Sequence, residues 1–261
     1  MNNKLYNVLV YLLVFLALQF CVSFGVTELW RIVTGSPDIT AMTLVVAMSL
    51  FSAVTIAVFL LARWCVVSRS YVRSRPWGVL TWCVVAAIGA IIPSLWLQEQ
   101  MPKLPNYVLD EFSAILGDRW GYFAVGLLAP VAEEMVFRGA ILRVLLDRMR
   151  SHWLAIAVSA VLFAVAHFNP AQMPHALLVG LLLGWMYYRT GSVVPGVAFH
   201  WANNTIAYVL YNILPNPDAT LLEIFRGDQT AVWLSLLFSL CFLGPAIFQL
   251  NLRMRRADAK A

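Results

Sequence analysis

Long apolar runs, separated by short clusters of arginine, glycine, proline and acidic residues, set the pattern of this chain. A membrane core about 30 Å thick needs about 20 apolar residues per helical span. Eight runs are read as helices on that basis: 5–28, 39–62, 77–97, 120–146, 152–167, 172–188, 193–214 and 230–250. The fifth and sixth are the shortest. A run inside a membrane helix should hold no charge, because a charged side chain at the bilayer centre costs about 2.5–3.5 kcal/mol on insertion scales. The fourth run breaks that rule three times, with Glu133, Glu134 and Arg138.

Composition places the whole chain in the membrane. Of its 261 residues 61% are hydrophobic and only 12% charged, and its mean hydropathy is +0.78; too little polar surface exists to cover a soluble globule of this size. The expected fold class is all-α, a polytopic transmembrane helix bundle of about eight spans and a single integral membrane domain over 1–261. Within it, 120–212 bears the polar motifs and 1–97 forms peripheral N-terminal helices.

The net charge of +5 would elsewhere point to nucleic acid. Here topology accounts for it, and no nucleic-acid partner is expected. If all eight helices span, Lys4, then Arg63, Arg69, Arg73 and Arg75, then Arg143, Arg148 and Arg150, then Arg189, then Arg253, Arg255, Arg256 and Lys260 share one side. The other side holds Arg31, Lys103, Arg119 and Arg226 against Glu28, Asp38, Glu99, Asp110, Glu111, Asp118, Asp218, Glu223 and Asp228. Lysine and arginine mark the cytoplasmic face, so both termini are expected there.

The first run is too long for a cleaved signal peptide and is read as a signal anchor. Cys21, Cys65, Cys83 and Cys241 lack CxxC spacing and are read as apolar fillers. Gly180 and Gly184 form a GxxxG, a sign of close helix packing.

Polar side chains recur at one-turn spacing in three runs. Glu134 and Arg138 lie at i and i+4 and can neutralise each other, whereas Glu133 points about 100° away and is left without a partner. Phe163 and His167 repeat the spacing in the fifth run, and His200 and Asn204 in the seventh. A bundle can turn these faces toward one cavity. A lone histidine or asparagine in a membrane helix more often bonds a neighbouring helix, but a carboxylate beside an already matched pair adds only cost unless it is used.

Two imidazoles and a carboxylate form a set that zinc accepts, with His167 and His200 as candidate ligands and a fourth position for water. The same set works without metal, since a desolvated glutamate can take a proton from water while an asparagine supports an oxyanion. Pro130 removes a backbone donor three residues before Glu133, leaving the carbonyl of Gly126 without its usual partner. His152 and His175 are read as interfacial and without a role, and Asn203 as lying on another face from His200.

These motifs resemble those of the CPBP intramembrane proteases, the group that includes type II CAAX prenyl endopeptidases and bacteriocin-processing or immunity proteins. Glu133-Glu134-Met135-Val136-Phe137-Arg138 is similar to the family's EExxxR, Phe163 to His167 to its FxxxH, and His200 to Asn204 to its HxxxN. The resemblance implies hydrolysis of a peptide bond within the bilayer, near its cytoplasmic side, in a membrane-associated or lipidated peptide or protein. It gives Glu133 as the base for water, His167 as its partner, His200 and Asn204 as oxyanion supports, and Glu134 with Arg138 as a structural pair. The expected location is the bacterial cytoplasmic membrane. Two rivals stand beside this reading. A catalytically silent scaffold or immunity protein would have lost a motif residue, and a proton-coupled transporter would show an internal repeat; the chain does neither.

Overall fold

The computed structural model describes residues 4–66, 68–216 and 219–256. Asp218 and Lys260 of the charge pattern lie outside them. Among the described residues every regular element is helical. The principal helices are α1 (Tyr6–Thr34), α2 (Ala41–Leu61), α3 (Trp77–Glu99), α4 (the consecutive segments Phe123–Leu128, Ala129–Glu134, Met135–Leu142 and Arg143–Arg148), α5 (His152–Val165), α6 (Met173–Thr190), α7 (Val194–Ile213) and α8 (Gln229–Arg253). Each coincides with one of the apolar runs. Short helices Arg69–Arg73, Leu109–Gly117 and Leu221–Ile224 sit in the connections.

Helices α1, α2, α3 and α8 are long and apolar enough to cross a membrane. Helix α5, at 14 residues, is about 21 Å long and falls short of the hydrocarbon thickness. The expectation of eight helices is met, while the expectation of eight spans is met by length and composition in those four alone.

Local signals explain the ends. Helix α1 runs past Glu28 to Thr34 and stops only where Gly35 adopts the left-handed conformation and its N–H bonds the Arg31 carbonyl, a conformation that glycine enters without a Cβ penalty. Thr40, Ser151 and Asp228 each cap the helix that follows, accepting from the backbone N–H of Thr43, Leu154, and Thr230 with Ala231, which satisfies donors that have no partner within the helix.

Packing gives the bundle two large cores that meet on α6, beside two smaller clusters around Val45 with Val125 and around Leu221 with Val232. One gathers Tyr11 and Phe15 of α1, Phe51 and Phe59 of α2, the second half of α4, and Ile156 and Phe163 of α5. The other joins Cys83 and Ala87 of α3, Met186 of α6, Phe199 of α7 and Leu250 of α8. Small residues let backbones approach, as the GxxxG predicts. A Cβ on Gly180 would lie 3.0 Å from the Ala160 Cβ, and one on Gly184 2.9 Å from Ile156 Cγ2. The four cysteines are free, with Cys65 and Cys83 buried.

The two ends of the bundle differ in charge. At one end, the connection from α2 to α3 carries Arg63, Arg69, Arg73 and Arg75 and the one from α4 to α5 carries Arg150; Arg143 donates to the Trp64 carbonyl at 2.8 Å. At the other, the loop after α3 is stitched to the α5–α6 turn and to the end of α7. Tyr107 N–H donates to Asn169 Oδ1 at 3.1 Å, Ala171 N–H to the Pro105 carbonyl at 3.1 Å, and Asn212 Nδ2 to the Leu116 carbonyl at 3.1 Å. Asn169, fully buried, is the hub of that junction.

Candidate active site

Helix α4 is not a regular α-helix where it carries the carboxylates. A π-helical turn, Phe123–Leu128, precedes the α-helical Ala129–Glu134, and a second, Met135–Leu142, follows. The first turn carries the ladder past the missing donor of Pro130, as Ala129 N–H bonds the Ala124 carbonyl five residues back. Single π turns inside α-helices occur often at functional sites. Glu133 and Glu134 therefore sit at the end of a short α segment between two wider turns.

Those two neighbours meet opposite environments. Glu134 is fully buried; its Oε1 accepts from Arg138 at 2.7 Å and faces His200 Nδ1 at 3.3 Å. Arg138, equally buried, also donates to the Gly180 carbonyl at 3.2 Å and lies over the Phe163 ring, 4.4 Å from its centroid. The spacing-derived pair is present and tied to α5, α6 and α7. Phe163, the first residue of the FxxxH run, serves as a platform, with the rings of His167 and His200 both edge-on to it.

Glu133 turns the other way. Its side chain keeps 18% of its exposure, and its Oε2 stands 3.8 Å from His200 Nε2. That gap is too long for a direct hydrogen bond. His200 thus spans the two carboxylates, with Nδ1 toward the locked one and Nε2 toward the accessible one.

His167 lies in the turn just beyond α5, not inside it, because the helix ends at Val165. Its Nδ1 donates to the Phe163 carbonyl at 2.8 Å. That carbonyl is one of those a helix C-terminus leaves without an internal partner, so i to i+4 spacing here makes a side-chain cap. With Nδ1 donating, Nε2 of the neutral ring is the acceptor. Asn204 donates through Nδ2 to the Val125 carbonyl at 3.0 Å and accepts at Oδ1 from Asn203, which leaves one Nδ2 hydrogen unused.

Glu133, His167, His200 and Asn204 line one cavity of about 490 Å³. Segment 1–97 carries no motif, yet it walls that cavity through Phe15, Gln19, Ser23 and Thr27 of α1 and Ser52 of α2. Helix α4 lines it with Val125, Ala129, Glu133 and Phe137, the half that leads away from the arginine cluster. From Glu133 the cavity runs toward the opposite end, where Val108, Glu111 and Gln172 also line it.

Sequence reasoning missed His175 and Asn203, both of which line the cavity. His175 bonds side chains of α3 and α7. Its Nδ1 is 2.6 Å from Ser94 Oγ and its Nε2 3.5 Å from Asn203 Nδ2; the amide nitrogen can only donate, so Nε2 accepts and Nδ1 donates to the serine. The signal was present, since Gln172, His175, Ala176 and Val179 fall on one face of a helix and all face the cavity. His152, by contrast, stacks on Tyr188 at 4.2 Å.

Among the described residues no three His, Cys, Asp or Glu side chains stand together as a metal-binding group. Structural and catalytic zinc sites use at least three protein ligands.

Residues 116–206 match the family described as type II CAAX prenyl endopeptidase Rce1-like. The match takes in all three motifs and leaves α1, α2, α3 and α8 outside. No curated protein and no solved structure matches the chain.

Proposed function

Because residues 116–206 match the Rce1-like family of type II CAAX prenyl endopeptidases, we propose that this protein hydrolyses a peptide bond in a membrane-associated peptide or protein with a water activated by Glu133. The observation that carries the reading is the division of labour between neighbouring carboxylates. Glu134 is held through Oε1 by Arg138 and His200, whereas Glu133 faces the cavity with its Oε2 3.8 Å from His200 Nε2.

In this mechanism Glu133 takes a proton from the water, and the hydroxide adds to the scissile carbonyl. The free Nδ2 hydrogen of Asn204 and, in the imidazolium form, Nε2–H of His200 donate to the oxyanion. Glu134 orients the imidazole through Nδ1. The C–N bond then breaks as Glu133 returns its proton to the leaving amine. His167, held by the Phe163 carbonyl, accepts at Nε2 and helps fix the water. No step requires a metal.

The arginine-rich end is the cytoplasmic one by the distribution of positive charge, so the substrate enters from the opposite face. A lipidated segment suits the largely apolar walls, and a prenyl group is one such lipid. The test is cleavage of membrane-embedded and prenylated reporter peptides by the purified protein beside Glu133→Gln and His200→Ala. Cleavage by the parent alone supports the reading, and cleavage by Glu133→Gln at the parent rate overturns it.

A further inference from the structure

One row of polar groups that the mechanism does not use lies along α1. Gln19, Ser23 and Thr27 recur at i, i+4 and i+8 along a helix otherwise apolar enough to span a membrane, and all three face the cavity together with Phe15 one turn earlier. Oε1 of Gln19 is buried with no hydrogen-bond partner, as is Oγ of Ser52 on the facing α2; both residues line the same cavity. Buried polar atoms without partners are uncommon in native proteins, and each calls for an explanation. Thr27 donates to the Phe24 carbonyl and keeps acceptor capacity on its hydroxyl oxygen.

Geometry names the occupant. Residues four apart on a helix rise about 6 Å, and backbone groups facing the same way on an extended chain repeat every two residues, about 6.6–6.8 Å. An α-helical segment satisfies its own backbone and needs no such ladder, whereas an extended one in an apolar cavity leaves every N–H and C=O without water. An acyl chain has no polar group to offer.

Resting on the peptidase reading, we propose that Gln19, Ser23 and Thr27, with Ser52 opposite, form a subsite that binds the substrate as an extended backbone laid along α1, between the acidic end of the bundle and Glu133. The subsite lies outside the family-matched region. It makes the substrate class a peptide segment that is extended or readily unwound, whatever lipid it carries.

The test uses the full-length protein in lipid nanodiscs and a Leu/Ala-rich membrane peptide with a Gly-Ser centre and one photo-leucine. Two companion probes are a version with ester links in place of alternate central amides and a version with a continuous Leu/Ala helix. Binding to the Glu133→Gln protein is measured, and photo-crosslinks are mapped by mass spectrometry. Crosslinks should fall on residues 19–27. Gln19→Leu should weaken the amide peptide about tenfold, the loss of roughly one well-placed hydrogen bond. The ester peptide should start weaker and ignore that substitution, and the helical peptide should compete poorly.

Equal binding of amide and ester peptides would mean an apolar chain occupies the groove and would overturn the inference. So would crosslinks confined to other walls. If the parent cleaves in a Glu133-dependent way while Gln19→Leu, Ser23→Ala and Thr27→Val change nothing, the subsite falls and the peptidase stands. Amide-selective binding without any cleavage would leave the subsite standing and remove the peptidase reading. Neither binding nor cleavage would overturn both.

Discussion

A Cβ on Gly196 would stand 2.5 Å from Oε2 of Glu134. Gly196 lies one turn before His200 on α7, so the glycine is what lets the buried carboxylate reach under the helix that carries the imidazole. The carboxylate has little freedom to retreat, as Arg138 and His200 hold its other oxygen. Gly196→Ala is therefore expected to displace Glu134 and turn His200 away from Glu133. Cleavage should fall at least about tenfold, or 1.4 kcal/mol in the barrier, with a smaller effect on folding, since alanine favours the helix by about 1 kcal/mol. Parallel rate measurements and thermal unfolding in detergent check both halves.

Adjacent carboxylates should give opposite phenotypes. Glu133→Gln is expected to abolish cleavage and leave the unfolding temperature near that of the parent, because its side chain is partly exposed and in no ion pair with Arg138. Glu134→Gln and Arg138→Met each leave a buried charge without compensation, a loss of about 3–5 kcal/mol. Both should lower the unfolding temperature or the yield of folded protein. Equal stability of the two glutamine variants would contradict the assignment.

The charge at the two ends gives an expected sidedness, with the arginine-rich end in the cytoplasm. A cysteine in place of Asn106, in the loop after α3, should react with a membrane-impermeant maleimide in right-side-out vesicles. One in place of Ser151, between α4 and α5, should react only in inverted vesicles. A variant lacking the native cysteines supplies the background, with Cys21 and Cys241 replaced first because they are the exposed ones. The reverse labelling would put the cavity mouth on the cytoplasmic face.

Cleavage should survive a chelator. Without three ligands in one place among the described residues, 1,10-phenanthroline at millimolar concentration is expected to leave the rate within about twofold of the untreated enzyme, well under the 1.4 kcal/mol that a tenfold change represents. Loss of activity that added zinc restores would reopen the ligand set of His167 and His200.

The order of helices was legible in the sequence because a bilayer imposes a length and a polarity on each span, and both are local properties. The Glu134 and Arg138 pair was legible for the same kind of reason, since i to i+4 neighbours meet on any helix. The exact extent of α5 was not, because whether His167 continues a helix or caps it depends on where its ring finds an acceptor. Nor was the place of His175: periodicity gives the face of a helix, and only packing tells which neighbour that face meets. What the sequence by itself determined is an all-helical membrane chain with three sets of polar residues that a bilayer would reject unless they were used. What the tertiary structure decided is which of two adjacent glutamates is locked and which is accessible, which end of the bundle the cavity leads to, and that α1 supplies one of its walls. Those are distances between residues far apart in the chain, set by how the helices pack.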